Sequence, residues 1–231
     1  PVRQASAHRT PLPEVLRYLL AKRSFIALQL AASFHALAAY GAVHWMPTFL
    51  HRVHSMSLTD IGLKLGLISG LGGAAGALLG GFVADRAGRQ DVRWYAWVAA
   101  FSALAALPVA FLFLFGTSGA GTLGWFFPYI LLVGVYNGPL HAMNQGLAPA
   151  RMRATAVAIH LLIVSILGGG VGPWIVGGMN DRLHAQFGDE GIRYSMMIVI
   201  CGGSVLAGAL YLITGHYLKR DLETEVGHVR G

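Results

Sequence analysis

Long, nearly charge-free apolar blocks dominate this chain, and their length limits what it can fold into. A helix needs about 20 apolar residues, at 1.5 Å each, to cross a hydrocarbon core of roughly 30 Å. Six segments approach or exceed that length: 24–50, 59–84, 94–115, 123–148, 154–178 and 194–218. Inside lipid each segment must satisfy its own backbone N–H and C=O groups, which selects helices. Only 12% of the 231 residues are charged, too few to wet the surface of a soluble domain this large. The expected fold is therefore an all-α membrane protein with six transmembrane helices. Its expected parts are segment 1–23, a bundle over 24–218 and a tail over 219–231.

The net charge of +7 does not indicate nucleic acid, because the basic residues form no face with interleaved aromatics. They sort by side of the membrane instead. One side collects Arg3, Arg9, Arg17, Lys22, Arg23, Arg86, Arg89, Arg93, Arg151, Arg153, Lys219, Arg220 and Arg230. The other holds only Arg52, Lys64, Arg182 and Arg193. The positive-inside rule makes both termini and the second and fourth connectors cytoplasmic, as an even number of spans requires. The expected location is the plasma (inner) membrane, multi-pass. The single cysteine, Cys201, excludes an intramolecular disulfide framework. The chain starts at Pro1 and its first apolar block is too long for a signal-peptide core, so it reads as a fragment or a processed piece.

An internal repeat links the second and fifth blocks. The second carries Gly72-Gly73, Gly80-Gly81 and Asp85-Arg86; the fifth carries Gly169-Gly170, Gly177-Gly178 and Asp181-Arg182. The first series ends on the basic side and the second on the opposite side. Two three-helix units of opposite topology produce that pattern.

Three features carry function. The loop Gly81-Phe-Val-Ala-Asp85-Arg86-Ala-Gly88-Arg89-Gln90 places an acid at the membrane boundary, where a neighbouring arginine can hold it, among cations suited to headgroups. Gly62, Gly66, Ser69, Gly73, Gly76 and Gly80 form a small-residue stripe on which another helix can pack closely. On the fourth block Asn137, His141, Asn144 and Gln145 share a face beside Gly138-Pro139, a pair that opens the backbone ladder. The first block offers Gln29, Ser33, Tyr40 and His44. Polar groups at membrane depth are costly and either line a wet cavity or knit helices together. His160 reads as a structural histidine, and Asp60 with Lys64 as an i, i+4 pair. His51 and His54 lack a third ligand for a metal.

Gly81–Gln90 resembles the signature loop of the major facilitator superfamily. The run Trp45-Met-Pro47-Thr-Phe-Leu50, the segment Arg89-Gln-Asp91-Val-Arg93-Trp94, Arg153-Ala-Thr-Ala156 and Gly172-Pro173 are similar to the bacterial Spinster-like branch. The resemblance covers nearly the whole chain but only the C-terminal six-helix half of such a transporter. It implies alternating access, with segment 1–23 as part of the central loop. Substrate contacts are implied at Gln29, Tyr40, His44, Asn137, His141 and Asn144, and a conformational gate at Gly81, Asp85, Arg86, Gly88, Arg89, Arg151 and Arg153. In that gate Asp85 and Arg86 latch the cytoplasmic side, with Arg151 or Arg153 as partners. The implied partners are the N-terminal six-helix half, the bilayer, a small organic or lipid-like solute and protons. No phosphate loop, metal cage or redox motif is present, so no cofactor is expected.

Two other classes compete. A scaffold or half-transporter must cover its polar face with a partner. A rhomboid-like serine protease is suggested by Gly116-Thr-Ser118-Gly119. Its dyad fails, because His216 lies at the far end of the sixth helix, roughly 30 Å from Ser118.

Overall fold

The computed structural model describes residues 11–229, with side chains as far as Glu223. The expectations for Arg3, Arg9, Arg230 and residues 1–10 lie outside the described residues. The helices are α1 (Leu12–Leu20), α2 (Arg23–His54), α3 (Leu58–Gly88), α4 (Trp94–Leu114), α5 (Gly119–Gly134), α6 (Asn137–Gly146), α7 (Arg153–Val164), α8 (Gly172–Phe187) and α9 (Gly191–Val229). A π-helical segment, Ser165–Val171, joins α7 to α8 just ahead of Pro173. The six spans lie within α2, α3, α4, α5–α6, α7–α8 and α9.

By length and apolarity alone, Arg153–Glu223 is a single 71-residue stretch. Gly188 divides it: φ 57° with ψ −140° is a conformation that glycine adopts without a Cβ clash, and it turns α9 back along α8. The connector expected over 179–193 thus shrinks to the 3₁₀ turn Gly188–Glu190. Pro47 likewise does not end the first span but lies inside α2; its lost backbone bond and ring contact are tolerated where neighbouring helices re-satisfy the freed groups. That helix stops at Ser55, whose φ of 50° lets the Met56 N–H donate back to the Leu50 carbonyl at 3.2 Å.

The packing obeys an approximate two-fold relation between α2–α4 and α5–α9. α2 lies along α9 as α5 lies along α4. α3 packs on α5 as the π segment and α8 pack on α2. This is the inverted repeat the glycines announce, with one correction. The packed faces match Gly72 and Gly76 to Gly168 and Gly172, one residue from the diglycine alignment. A Cβ on Gly168 would meet Ala36 at 2.6 Å and one on Gly172 the Leu37 carbonyl at 2.8 Å, whereas Gly169 and Gly170 face open space.

The expected glycine stripe on α3 is also corrected. The tight face is Gly72, Gly76 and Gly80. A Cβ on Gly76 would strike the Leu131 carbonyl and one on Gly80 the Val135 carbonyl, while Gly62, Gly66 and Gly73 meet nothing within 4 Å. The α3–α5 crossing follows the i, i+4 row, which drifts away from a stripe of alternating fours and threes. From the other side, a Cβ on Gly138 would lie 2.7 Å from the Gly81 nitrogen. Pro139 lacks the N–H that would bond the Val135 carbonyl, and that freed oxygen lies against Gly80, where only hydrogen leaves room.

Candidate functional site

Gln29 on α2 is the hub of a buried polar network. Its side-chain nitrogen donates to Asn144 Oδ1 on α6 at 2.8 Å, and its oxygen lies 2.7 Å from His160 Nδ1 on α7. An amide oxygen only accepts, so Nδ1 of His160 carries the hydrogen. Asn144 also donates to the Leu140 carbonyl at 3.2 Å, and the His141 ring stands edge-on to His160 with centroids 6.3 Å apart. Gln29, Asn144 and His160 are all buried. Three spans are thereby tied at one depth, and His160, read from the sequence as a structural histidine, is one of the three residues that tie them.

The other sequence-derived polar residues sit differently. Tyr40 and His44 are exposed on α2, with His44 Nδ1 2.9 Å from the Tyr40 carbonyl. Asn137 and His141 are half-buried, and Asn137 donates to the Gly134 carbonyl at 3.0 Å, where α5 gives way to α6. Missed entirely was His35, buried six residues beyond Gln29 and off its face. Its ring stacks on Tyr136 at 4.1 Å and meets Tyr211 edge-on at 6.0 Å.

At the Arg-rich end, Gly81, Asp85, Arg86, Gly88 and Arg89 occupy the end of α3 and its exit. Asp85 accepts from the Tyr95 hydroxyl at 2.9 Å. Gly88 permits this, since a Cβ there would lie 2.5 Å from the Tyr95 ring. The pairing expected between Asp85 and Arg151 or Arg153 is not made in this structure. Arg151 lies 3.7 Å from Glu14 on α1, and Arg153 Nε donates to the Ala148 carbonyl at 3.2 Å. Tyr95, within the same hairpin, reaches the carboxylate first. Asp60 similarly bonds Ser57 Oγ at 2.8 Å, at the head of α3, rather than Lys64.

At the opposite end Arg193 is buried at the start of α9. Its Nε donates to Glu190 at 2.7 Å, a second nitrogen donates to the Leu114 carbonyl, and the guanidinium lies over the Phe49 and Phe115 rings. Nearby, past the apolar block 24–50, Thr122 Oγ1 gives its single hydrogen to the Phe113 carbonyl, so it accepts from His54 Nε2 at 3.0 Å. Burial holds the His54 pKa below its ordinary 6.5; the Arg193 charge adds to this and Glu190 opposes it. Neutral His54 is favoured in the fold, so its contribution to stability is complete above pH 6.5 and is lost as pH falls through the lowered value. An NMR titration of His54 in the full-length protein should give a midpoint under 6.5; a midpoint above it would contradict this burial. Ser118, the candidate nucleophile of the protease alternative, caps α5 by accepting from the Gly121 N–H at 3.1 Å.

Comparison with known proteins agrees with this architecture. The family model described as Major Facilitator Superfamily matches residues 1–173. An MFS-type efflux pump of Mycolicibacterium smegmatis is 29% identical over 208 residues, covering 90% of this chain and 48% of the pump. Protein spinster homolog 1 of Homo sapiens is 26% identical over 94% of this chain and 44% of its own length. The chain thus spans about half the length of these curated relatives. A crystal structure of a bacterial homolog to the human lysosomal transporter Spinster, inward-facing and unoccupied, superimposes with a TM-score of 0.84 over 96% of this chain and 53% of that one, at 24% identity.

Proposed function

This chain belongs to the Major Facilitator Superfamily, and on that premise we propose that it is one rocking half of an alternating-access transporter for a small or amphiphilic organic solute. Its homologues are Spinster-like proteins and efflux pumps, which favours transport over catalysis. The carrying observation is an apolar bundle that leaves Tyr40 and His44 exposed and Asn137 and His141 half-covered, beside the Gln29–Asn144–His160 network. In this reading those residues line the solute path, and Gln29 and Asn144 form its floor, fixing the helices that carry it. The N-terminal half covers the polar face, and protons drive the cycle. The Arg-rich end is cytoplasmic and carries both termini.

Gly81, Asp85, Arg86, Gly88 and Arg89 form the gate at that end, with Arg151 and Arg153 on the facing connector. Tyr95 parks the Asp85 carboxylate when the latch is open, and rocking brings the acid to a cation. Asp85→Asn is expected to slow transport by the full-length protein about tenfold without changing its melting temperature, the order expected for losing one charge-assisted contact. Tyr95→Phe should shift the balance toward the latched state. The assay is proton-gradient-driven movement of ethidium or a fluorescent lysolipid in proteoliposomes. An unchanged rate in Asp85→Asn removes the latch, and transport by residues 1–231 alone would overturn the half-transporter reading.

A further inference from the structure

At the Arg-rich end a recess of about 310 Å³ opens between the α1–α2 junction and α9, lined by Ala21, Lys22, Arg23, Tyr217, Arg220 and Asp221. We propose that it holds the phosphate of an anionic phospholipid, whose acyl chains lie along the α2–α9 seam.

Charge is the first support. Among the described residues three cations and one carboxylate line the recess, and that carboxylate is engaged in holding the fold. Asp221 Oδ2 accepts the Ser24 N–H at 2.9 Å and the Ser24 hydroxyl at 2.7 Å, at the positive end of the α2 dipole. Lys22 donates to the Leu147 carbonyl at 2.8 Å and sits over the Tyr18 ring. Burial pushes the Lys22 pKa below the lysine range, and Asp221 only partly restores it. Arg23 lies over the Tyr217 ring at 5.8 Å, so a guanidinium fork and a phenol hydroxyl border the same space.

The seam is the second support. Arg23, Ile26 and Leu30 follow each other at steps of three and four on α2, as do Ile213, Tyr217 and Arg220, at four and three, on α9. Ile26, Leu30 and Ile213 are exposed, so the basic rim continues into an apolar track along the bundle. The exposed Leu20 of α1, next in sequence to Ala21, adjoins the rim. A basic pocket over lipid-facing apolar residues is the chemistry that retains an anionic headgroup. Free inorganic phosphate would use the rim alone and leave the track without a role.

The test is native mass spectrometry of the delipidated full-length protein given equal phosphatidylglycerol and phosphatidylcholine. The wild type is expected to retain phosphatidylglycerol preferentially. Arg23→Gln with Arg220→Gln should lower that retention at least about fivefold, given about 1 kcal/mol per cation at a membrane surface. An unchanged lipid-free melting temperature verifies the fold of the variant. Arg52→Gln with Arg182→Gln, at the other end, should retain lipid like the wild type. Equal retention by the recess variant, an equal loss in the distant variant, or displacement of the lipid by millimolar inorganic phosphate would each overturn the proposal. The readout involves no transport, so it stands or falls separately from the transport reading.

Discussion

Gly80→Val in the full-length protein is expected to lower the yield of folded, detergent-extractable protein at least about tenfold, because a backbone clash at a buried crossing exceeds the 1–3 kcal/mol of ordinary overpacking. The added carbons would occupy the place of the Val135 carbonyl, which cannot withdraw as a flexible side chain would. Pro139 aggravates the clash, because that carbonyl has no helical N–H to draw it back. Gly76→Val meets the Leu131 carbonyl and should behave alike. Gly66→Ala in the same protein, with no atom of this chain within 4 Å of its Cβ, should leave the yield unchanged. Size-exclusion profiles of the variants decide it: a monodisperse Gly80→Val at wild-type yield would show that α3 and α5–α6 are not packed this closely.

Gln29→Leu should be the most damaging polar change in the bundle, costing about 2 kcal/mol in mixed-micelle unfolding. It strips partners from Asn144 and His160 at once, and each orphaned buried group costs about 1–3 kcal/mol, moderated by the small net worth of hydrogen bonds in membranes. The three groups act as a unit. Gln29→Leu with Asn144→Leu and His160→Leu should therefore be less destabilised than the sum of the single changes, because no polar group is left without a partner. Additive losses would show that the three do not form one network.

Transport adds a separate consequence. If Gln29 only knits helices, transport by the variants should follow their folded fraction. If the network also forms the floor of the solute path, the Michaelis constant should change in Gln29→Leu even after correction for folded protein.

The apolar block lengths contained the spans, and the side-by-side count of cations contained their alternation, because lipid penalises unpaired backbone and charge wherever they fall. Gln29, Asn137, His141 and Asn144 were legible for the same reason: polar groups at that depth stand out against apolar surroundings. Their division was not. Whether Gln29 is satisfied by Asn144 or left facing an open side depends on the rotation of α2 against α6 and α7, which no single helix encodes. Tyr95 was hidden because the link between Asp85 and Tyr95 forms only when the α3–α4 hairpin closes over Gly88. The tail after Lys219 gave little as sequence, yet Asp221 caps α2 from 197 positions away.

By itself, then, the sequence determined the environment, the number of spans, their alternating direction and the inverted glycine pattern, since all four follow from local transfer costs and spacing. Only the tertiary structure decided which glycines are indispensable, which polar groups are paired and which carboxylate each arginine meets. Those depend on helix crossing angles and rotations of a few tens of degrees. In a close-packed bundle that rotation moves a side chain from open space into contact with a neighbouring backbone.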